Sequence, residues 1–345
     1  MLQHSYTDRP YPRLGQELRL DHRWLDLRTP ANNAIIQLKS AICQLFRQSL
    51  YTQNFIEIQT PKLIQGESES GAGVFTTDYF GKVACLAQSP QLYKQMCISS
   101  DIQRVFEIGP VFRAENSNTR RHLCEFIGLD MEMSIYEHYY ETLHVLHYVF
   151  KHIFNGLEEQ YKHQLNIIRE QYDSSPVVFT DEPCIIHWPE AMTMLKELGW
   201  DMDDELNDLT GAQELDLGKV MKERYNTDFY IIDKYPSSIR PFYTMPDPDN
   251  SLHSNSYDIF LRGQEICSGA QRCHDPTLLK DILKQKGITD IEDGVLAKYI
   301  ESFTHGVTPH AGAGIGLERV LFLYLGLDNV RKASLFPRDP NRCCP

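Results

Sequence analysis

The stretch VFEIGPVFRAENSNTRRHLCEFIGLDMEM, residues 105–133, decides the fold. In its first limb the even positions Phe106, Ile108, Pro110 and Phe112 are apolar, and the run ends at Arg113. In its second limb the odd positions Ile127, Leu129, Met131 and Met133 are apolar, while the even ones are Phe126, Gly128, Asp130 and Glu132. Successive side chains of a strand point to opposite faces, so this alternation predicts two strands, each with a core face and a second face. The second face carries Arg113, Phe126, Asp130 and Glu132. Covering such a face is costly unless its charges are paired or bind something. An ion-pair network in a sheet accounts for it as well as a site does. The segment between the limbs, AENSNTRRHL at 114–123, reads as a long loop joining antiparallel strands.

Outward from this pair, Thr29-Pro30 reads as a helix start, with proline in the first turn. Ile35, Leu38, Ile42, Leu45 and Phe46 then recur at helical spacing, which predicts a helix over 30–52. Phe55–Ile58 reads as a short strand, GESESGAG at 66–73 as a mobile polar loop, 83–88 as a strand and 90–97 as a helix. Helical patterns fill about 136–171 and 276–303. Between them lies a mixed segment with helices near 189–198 and 213–224 and a strand at 228–233. A hairpin follows, with Arg262-Gly263 at the tip between SYDIFL and QEICSGAQR. The chain closes on AGAGIGLERVLFLYLGL, read as a glycine-rich turn feeding a helix that ends near Gly326. Hairpins without βαβ units indicate an α+β fold, an antiparallel sheet flanked by helices. The expected organisation is a tail at 1–20 and a domain at 21–345, with a mixed helical insertion at about 175–235.

The chain has 345 residues with 34 Lys plus Arg against 47 Asp plus Glu, a formal charge of −13, which excludes a globally basic nucleic-acid coat but not a local basic groove. No apolar run approaches the ~18 residues of a membrane span, and the N-terminus has no secretory pattern. Nine cysteines without a CxxC pair fit reduced thiols. The expectation is a cytoplasmic protein with no membrane partner.

In the hairpin a two-residue tip pairs Phe260 with Glu265 and sets Asp258 diagonally across on the same face. Two such acids suit a magnesium ion shared with a phosphate; one exposed acid and one salt bridge is the plainer alternative. Strict alternation would put Arg272 opposite Glu265. A bulge near Gly269 would return Ser268 and Arg272 to the acid face. GAGIGLER sets Arg319 in the first turn of a helix, where backbone N–H groups favour phosphate, although glycines used for close packing give the same pattern.

These residues resemble the class II aminoacyl-tRNA synthetases. FRAE at 112–115 and RHLCEF at 121–126 resemble the second signature of that family, GIGLER at 314–319 the third, and NFIEIQTPKL at 54–63, with Pro61, the first. QSPQLYKQ at 88–95, GLDMEM at 128–133, SNSYDIFLRG at 254–263 and EICSGAQR at 265–272 resemble the aspartyl branch of the eukaryotic and archaeal type. The resemblance implies the class II catalytic fold. It also implies activation of L-aspartate with ATP to aspartyl-adenylate and transfer to the 3′-terminal adenosine of tRNA(Asp).

Residue by residue, the resemblance implies Arg113 on the α-phosphate, Glu115 on the adenine amino group, Phe126 and Arg319 on the two adenine faces, His122 near the distal phosphates and Gly316 in the ATP site. Arg113, Arg319 and Glu265 would be catalytic. Asp258, Glu265 and Ser268 would hold Mg2+. Lys94 and Arg272 would grip the aspartate side chain, with Asp130, Glu69 and Ser68 at its ammonium, and Gln91 and Ser268 alongside. The loop 66–75 resembles a lid. Lys94→Met is expected to abolish aspartate activation while the fold survives. Partners implied are tRNA(Asp), a second copy joined through 30–63, and multi-synthetase assemblies. Residues 1–20 are too short for the family's N-terminal anticodon-binding OB-fold, so the expectation is the catalytic domain without it. Other readings are a free-standing relative making asparagine from aspartate, or a non-catalytic paralogue acting as a binding or regulatory module.

Overall fold

The two limbs of residues 105–133 form the antiparallel pair that their alternation predicts, in register from Arg104 opposite Met133 to Phe112 opposite Glu125. The computed structural model describes residues 14–66, 73–172, 174–202, 206–288, 291 and 296–344. Its strands in chain order are β1 (Ile56–Glu57), β2 (Leu63–Ile64), β3 (Thr76–Tyr79), β4 (Lys82–Leu86), β5 (Arg104–Phe112), β6 (Glu125–Ser134), β7 (Ile185–His187), β8 (Phe229–Asp233), β9 (Ser256–Leu261), β10 (Gln264–Gln271) and β11 (His310–Gly316). Eight of them make one sheet in the order β1-β5-β6-β11-β10-β9-β8-β7, and β2-β4-β3 make a small second sheet. The large sheet is antiparallel through its centre, with a parallel pair at each edge, β1 with β5 and β7 with β8. The fold is α+β, as expected.

One face of this sheet makes the core. Phe106, Leu129, Met131, Met133, Ile259, Ala311, Ala313 and Ile315 are buried there with Ile35, Leu38, Ile42, Leu45 and Phe46 of the helix Pro30–Tyr51. That helix also packs on the helices Tyr140–Gln160 and Lys162–Arg169. Its apolar stripe is therefore used inside this chain, whereas Ile56 and Leu63 just beyond it are about half exposed.

Three expectations change in detail. The glycine-rich AGAGIG is a central strand, β11, rather than a turn, and the helix Leu317–Tyr324 follows directly. Its period-two pattern puts Ala311, Ala313 and Ile315 in the core and leaves the glycines on the opposite face. The bulge in β10 lies at Ile266, between Glu265 and Cys267, three residues before Gly269. Its consequence is the one anticipated: Ser268 comes to lie opposite Asp258. The segment at 175–235, expected as a mixed helical insertion, extends the main sheet through β7 and β8 and builds its own apolar cluster from Trp188, Leu195, Leu217, Met221, Tyr230 and Ile232. The hairpin tip has Arg262 at φ 51° and Gly263 at φ 71°, the left-handed pair of a two-residue turn whose twist matches the strands.

Candidate active site

The face of the sheet away from the core holds a cavity lined by residues of β5, β6, β10 and β11 together with 88–91, 113–123 and 240–244. Arg113, Glu115, His122, Phe126, Gln91, Asp130, Glu265, Ser268, Arg272, Gly316 and Arg319 all line it. Lys94 lies just behind Asp130, and Asp258 lies behind Arg240. Ser68 and Glu69 fall outside the described residues, as does most of the expected lid.

β11 makes the floor possible. A Cβ at Gly312 would sit 2.1 Å from Glu132 Oε2 and 2.3 Å from the Met131 carbonyl oxygen, and one at Gly314 would sit 3.3 Å from Asp130 Oδ1. Only bare backbone lets the two acids of β6 lie flat across their neighbour strand.

At one end the charges are sealed. Lys94, on the helix Gln91–Ser99, is fully buried; its Nζ donates to Asp130 Oδ1 at 2.9 Å and to the Ala313 carbonyl at 3.2 Å, and lies 3.6 Å from Glu132 Oε2. Arg272 donates from Nε to Glu132 Oε1 at 2.9 Å and from Nη2 to Gln91 Oε1 at 3.1 Å. Burial pushes the Glu132 carboxyl up, but Arg272 and Lys94 outweigh it and hold the group below its usual range. Behind this tetrad Gln91 Nε2 donates to Gln95 Oε1 at 3.2 Å and to Glu132 Oε2 at 3.3 Å. Gln95 Nε2 lies 3.0 Å from His310 Nε2.

The other end is open. The Arg113 and Glu115 side chains are 41% and 29% exposed and stand 4.0 Å apart, too long for a hydrogen bond. The Arg113 guanidinium lies 5.5 Å from the Phe126 ring centre, a cation–π distance, and its Nε is buried without a partner among the described residues. Arg319 reaches back to β10, donating to the Glu265 carbonyl at 3.2 Å and to its Oε2 at 3.4 Å. Burial, then Arg319, holds the His122 imidazole below its usual range.

Between the ends, Arg240 donates to both oxygens of Asp258, at 3.0 and 2.7 Å, and to Ser268 Oγ at 3.1 Å. Burial pushes the Asp258 carboxyl up to about 6, against the pull of Arg240 and with the support of Glu265. The expected magnesium set is thus already in contact with a guanidinium. Among the described residues no three His, Cys, Asp or Glu side chains converge on one point. Magnesium is commonly held by one or two carboxylates with phosphate oxygens rather than by a protein cage. Glu265, open to the cavity with Asp258 nearby, fits that mode and no closed one.

Sequence reasoning placed Glu132 on this face without a role, and it missed Arg240, Gln95, His310 and Glu214. Glu214, on the helix Gly211–Tyr225, accepts from Arg121 at 2.7 Å, and burial pushes its carboxyl up to about 7. Gln95 falls inside QSPQLYKQ, one residue after Lys94, so helical spacing from Gln91 was the available signal. Arg240 sits in a connection with no period, and nothing local marks it.

Residues 15–340 match the family described as tRNA synthetases class II (D, K and N). The chain is 53% identical over 332 residues to the rat protein named aspartate–tRNA ligase, cytoplasmic, covering 96% of this chain and 66% of that one. It therefore spans just under two thirds of that relative. Among solved structures it resembles the aspartyl-tRNA synthetase from Entamoeba histolytica, with TM-score 0.88 and 49% identity over 99% of this chain and 65% of that one. It also resembles the asparaginyl-tRNA synthetase from Pyrococcus horikoshii complexed with asparaginyl-adenylate, with TM-score 0.86 and 30% identity over 96% and 74%. A sheet whose second face carries these arginines and acids, and a match that runs from one end of the domain to the other, lead to the same statement: the chain belongs to the class II tRNA synthetases.

Proposed function

We propose that this chain activates L-aspartate with ATP to aspartyl-adenylate and transfers the aspartyl group to the 3′-terminal adenosine of tRNA(Asp). The observation that carries the reading is the sealed tetrad. Lys94, Arg272, Asp130 and Glu132 form an ion-paired pocket wall of zero formal charge, with Lys94 between Asp130 and Glu132 and Arg272 on Glu132. Such a pocket suits a small zwitterion with an additional carboxylate: Arg272 and Lys94 for the side-chain carboxylate, Asp130 for the ammonium group. Arg272 keeps Glu132 and Gln91 as partners, so the preference for a carboxylate over a neutral amide rests on the stronger, charge-assisted contact that a guanidinium makes with a carboxylate. The Pyrococcus relative is named for asparagine, and the amino acid that drives pyrophosphate exchange separates the two readings.

In the first step the aspartate α-carboxylate attacks the α-phosphorus and pyrophosphate leaves. Arg113 is proposed to neutralise the charge that builds on the α-phosphate, with Phe126 and Arg319 enclosing the adenine, Glu115 on its amino group, and His122 and Gly316 at the phosphates. When bound, magnesium would supply charge neutralisation on the phosphates, held by Glu265 with Asp258 and Ser268 adjacent. In the second step a ribose hydroxyl of tRNA attacks the mixed anhydride and AMP leaves. Neither step needs an enzyme nucleophile, so catalysis is placement and electrostatic stabilisation.

A cytoplasmic setting follows the naming of the relatives, and among the described residues no helix is long and apolar enough to cross a membrane. A homodimer through 30–63 is part of the proposal, supported by the exposed apolar side chains Ile56 and Leu63 within that segment. Light scattering should give a mass near twice 39.9 kDa. Membership of a multi-synthetase assembly would be tested by co-purification. Pyrophosphate exchange with aspartate, asparagine, lysine and glutamate tests the activity. Exchange with aspartate alone is expected; exchange driven by asparagine, or by none of the four, overturns the assignment.

A further inference from the structure

Arg240 stands where the acids of the phosphate end would otherwise face one another. Its guanidinium makes a two-pronged contact with Asp258 and a third bond to Ser268 Oγ. Its carbon lies 3.8 Å from the centre of the Tyr235 ring, close cation–π contact, and its side chain is 11% exposed. The planar fork matches a carboxylate better than any monovalent point charge does. Glu265, the other acid, is held more loosely at 3.4 Å by Arg319 and is 35% exposed. The two carboxylates therefore differ: one is locked on an internal cation, the other open to the cavity.

We infer that Arg240 is a resident cation that occupies Asp258 and Ser268, so that a divalent ion is kept out of the nucleotide-free site and enters only with the phosphates that complete its shell. The inference rests on the proposed reading of Asp258, Glu265 and Ser268 as the metal set. A metal bound to Asp258 would have to displace, or lie against, a positive charge already in contact with it. Two like charges at contact distance oppose each other strongly in a partly buried site. Phosphate oxygens change that balance, because they offer both Arg240 and the metal new partners. Arg240 is thus a positioning residue: it acts through Asp258 and sets the order in which nucleotide and metal bind.

Manganese titration followed by electron paramagnetic resonance tests this on the whole chain. Nucleotide-free wild type should show no site saturating below millimolar manganese, and Asp258→Asn should leave that result unchanged. Arg240→Met should gain one site bound about tenfold or more tighter, lost again when Asp258→Asn is added. A submillimolar site in nucleotide-free wild type that disappears in Asp258→Asn overturns the inference, and so does equal manganese binding by wild type and a folded Arg240→Met. The wild-type arm needs no Arg240 variant and stands if that variant does not fold. Pyrophosphate exchange on the same wild-type sample separates the two levels: failure of aspartate-dependent exchange removes the underlying reading, whereas exchange with unchanged manganese binding removes only the role of Arg240.

Discussion

The two ends of one cavity are built on opposite principles. At the sealed end Lys94, Glu132 and Arg272 are 5% exposed or less, and their charged atoms are held on one another at 2.9–3.6 Å. At the open end Arg113 and Arg319 are 41% and 27% exposed, and their nearest acids stand at 4.0 and 3.4 Å. The sealed end is assembled in advance, and under the proposed function its stability and its selectivity would rest on the same four charges. The open end carries charges with only long contacts to protein acids, and under the proposed function their closer partners would be the phosphates. Preorganised polar groups need not rearrange during reaction, which favours chemistry and specificity. Exposed cations steer and capture anions at little cost to the fold.

The sharpest break of this contrast is Lys94→Met. Sequence reasoning expected the fold to survive it. With Lys94 fully buried against Asp130 and Glu132, its loss leaves excess negative charge in the sheet, and removing one partner of a buried pair costs about 3–5 kcal/mol. Aspartate-dependent exchange should vanish and the denaturant midpoint should fall together. A variant as stable as wild type would show that the tetrad does not hold the fold. Arg113→Ala should do the reverse. Loss of a group that stabilises developing charge costs about 100- to 1,000-fold in adenylate formation. Its half-exposed guanidinium makes no short ion pair, so stability should stay within about 0.5 kcal/mol. Comparable stability losses in both variants would erase the distinction between the ends.

How far each end could be read from sequence follows from the same physics. The core face was legible because burial imposes strict alternation on β5 and β6 and a 3.6-residue stripe on Pro30–Tyr51. The resemblance then named eleven of the residues that line the cavity, but not Arg121, Arg240 or Glu318. Periodicity did not reveal that β11 is a strand, because glycine and alanine have weak strand signals and only the Ala–Gly alternation itself marks the two faces. The bulge expected in β10 falls three residues late because glycine makes position 269 the natural place for one and nothing in the composition marks Ile266. Arg240 was invisible for another reason: it reaches the site from an irregular connection, so its position depends on tertiary packing alone.

Gly312→Ala probes the floor between the ends. A Cβ there would press on Glu132 and on the Met131 carbonyl at the same time, and the carbonyl belongs to the ladder between β6 and β11 and cannot swing away. A cost of about 1–3 kcal/mol is expected from overpacking. The aspartate KM should rise more than the ATP KM, because Glu132 is the displaced side chain. A larger effect on ATP would mean that the floor serves the open end.

The last effect expected is a pH slope from His310, confined to acid conditions. Its Nδ1 lies 2.9 Å from the Thr308 carbonyl, which can only accept, so Nδ1 carries the hydrogen and Nε2 accepts from Gln95. That fixes the Gln95 amide, whose oxygen accepts from Tyr299 at 2.9 Å and from Gln91, and so turns the Gln91 oxygen toward Arg272. A charged imidazole would set an N–H against the Gln95 amide nitrogen. Burial, opposed by Glu132 and assisted by Arg272 and His274, pushes the His310 imidazole down to about 4. The unfolded chain takes up this proton near pH 6.5 and the native chain does not, so native stability declines as pH falls from 6.5 to about 4, by at most about 1.4 kcal/mol per pH unit. Denaturant midpoints of wild type and His310→Gln, followed over that range, cancel the other titrating groups. The advantage of wild type should shrink as pH falls; an advantage that holds constant or grows would mean that the imidazole is charged in the native state and that the amide chain runs the other way.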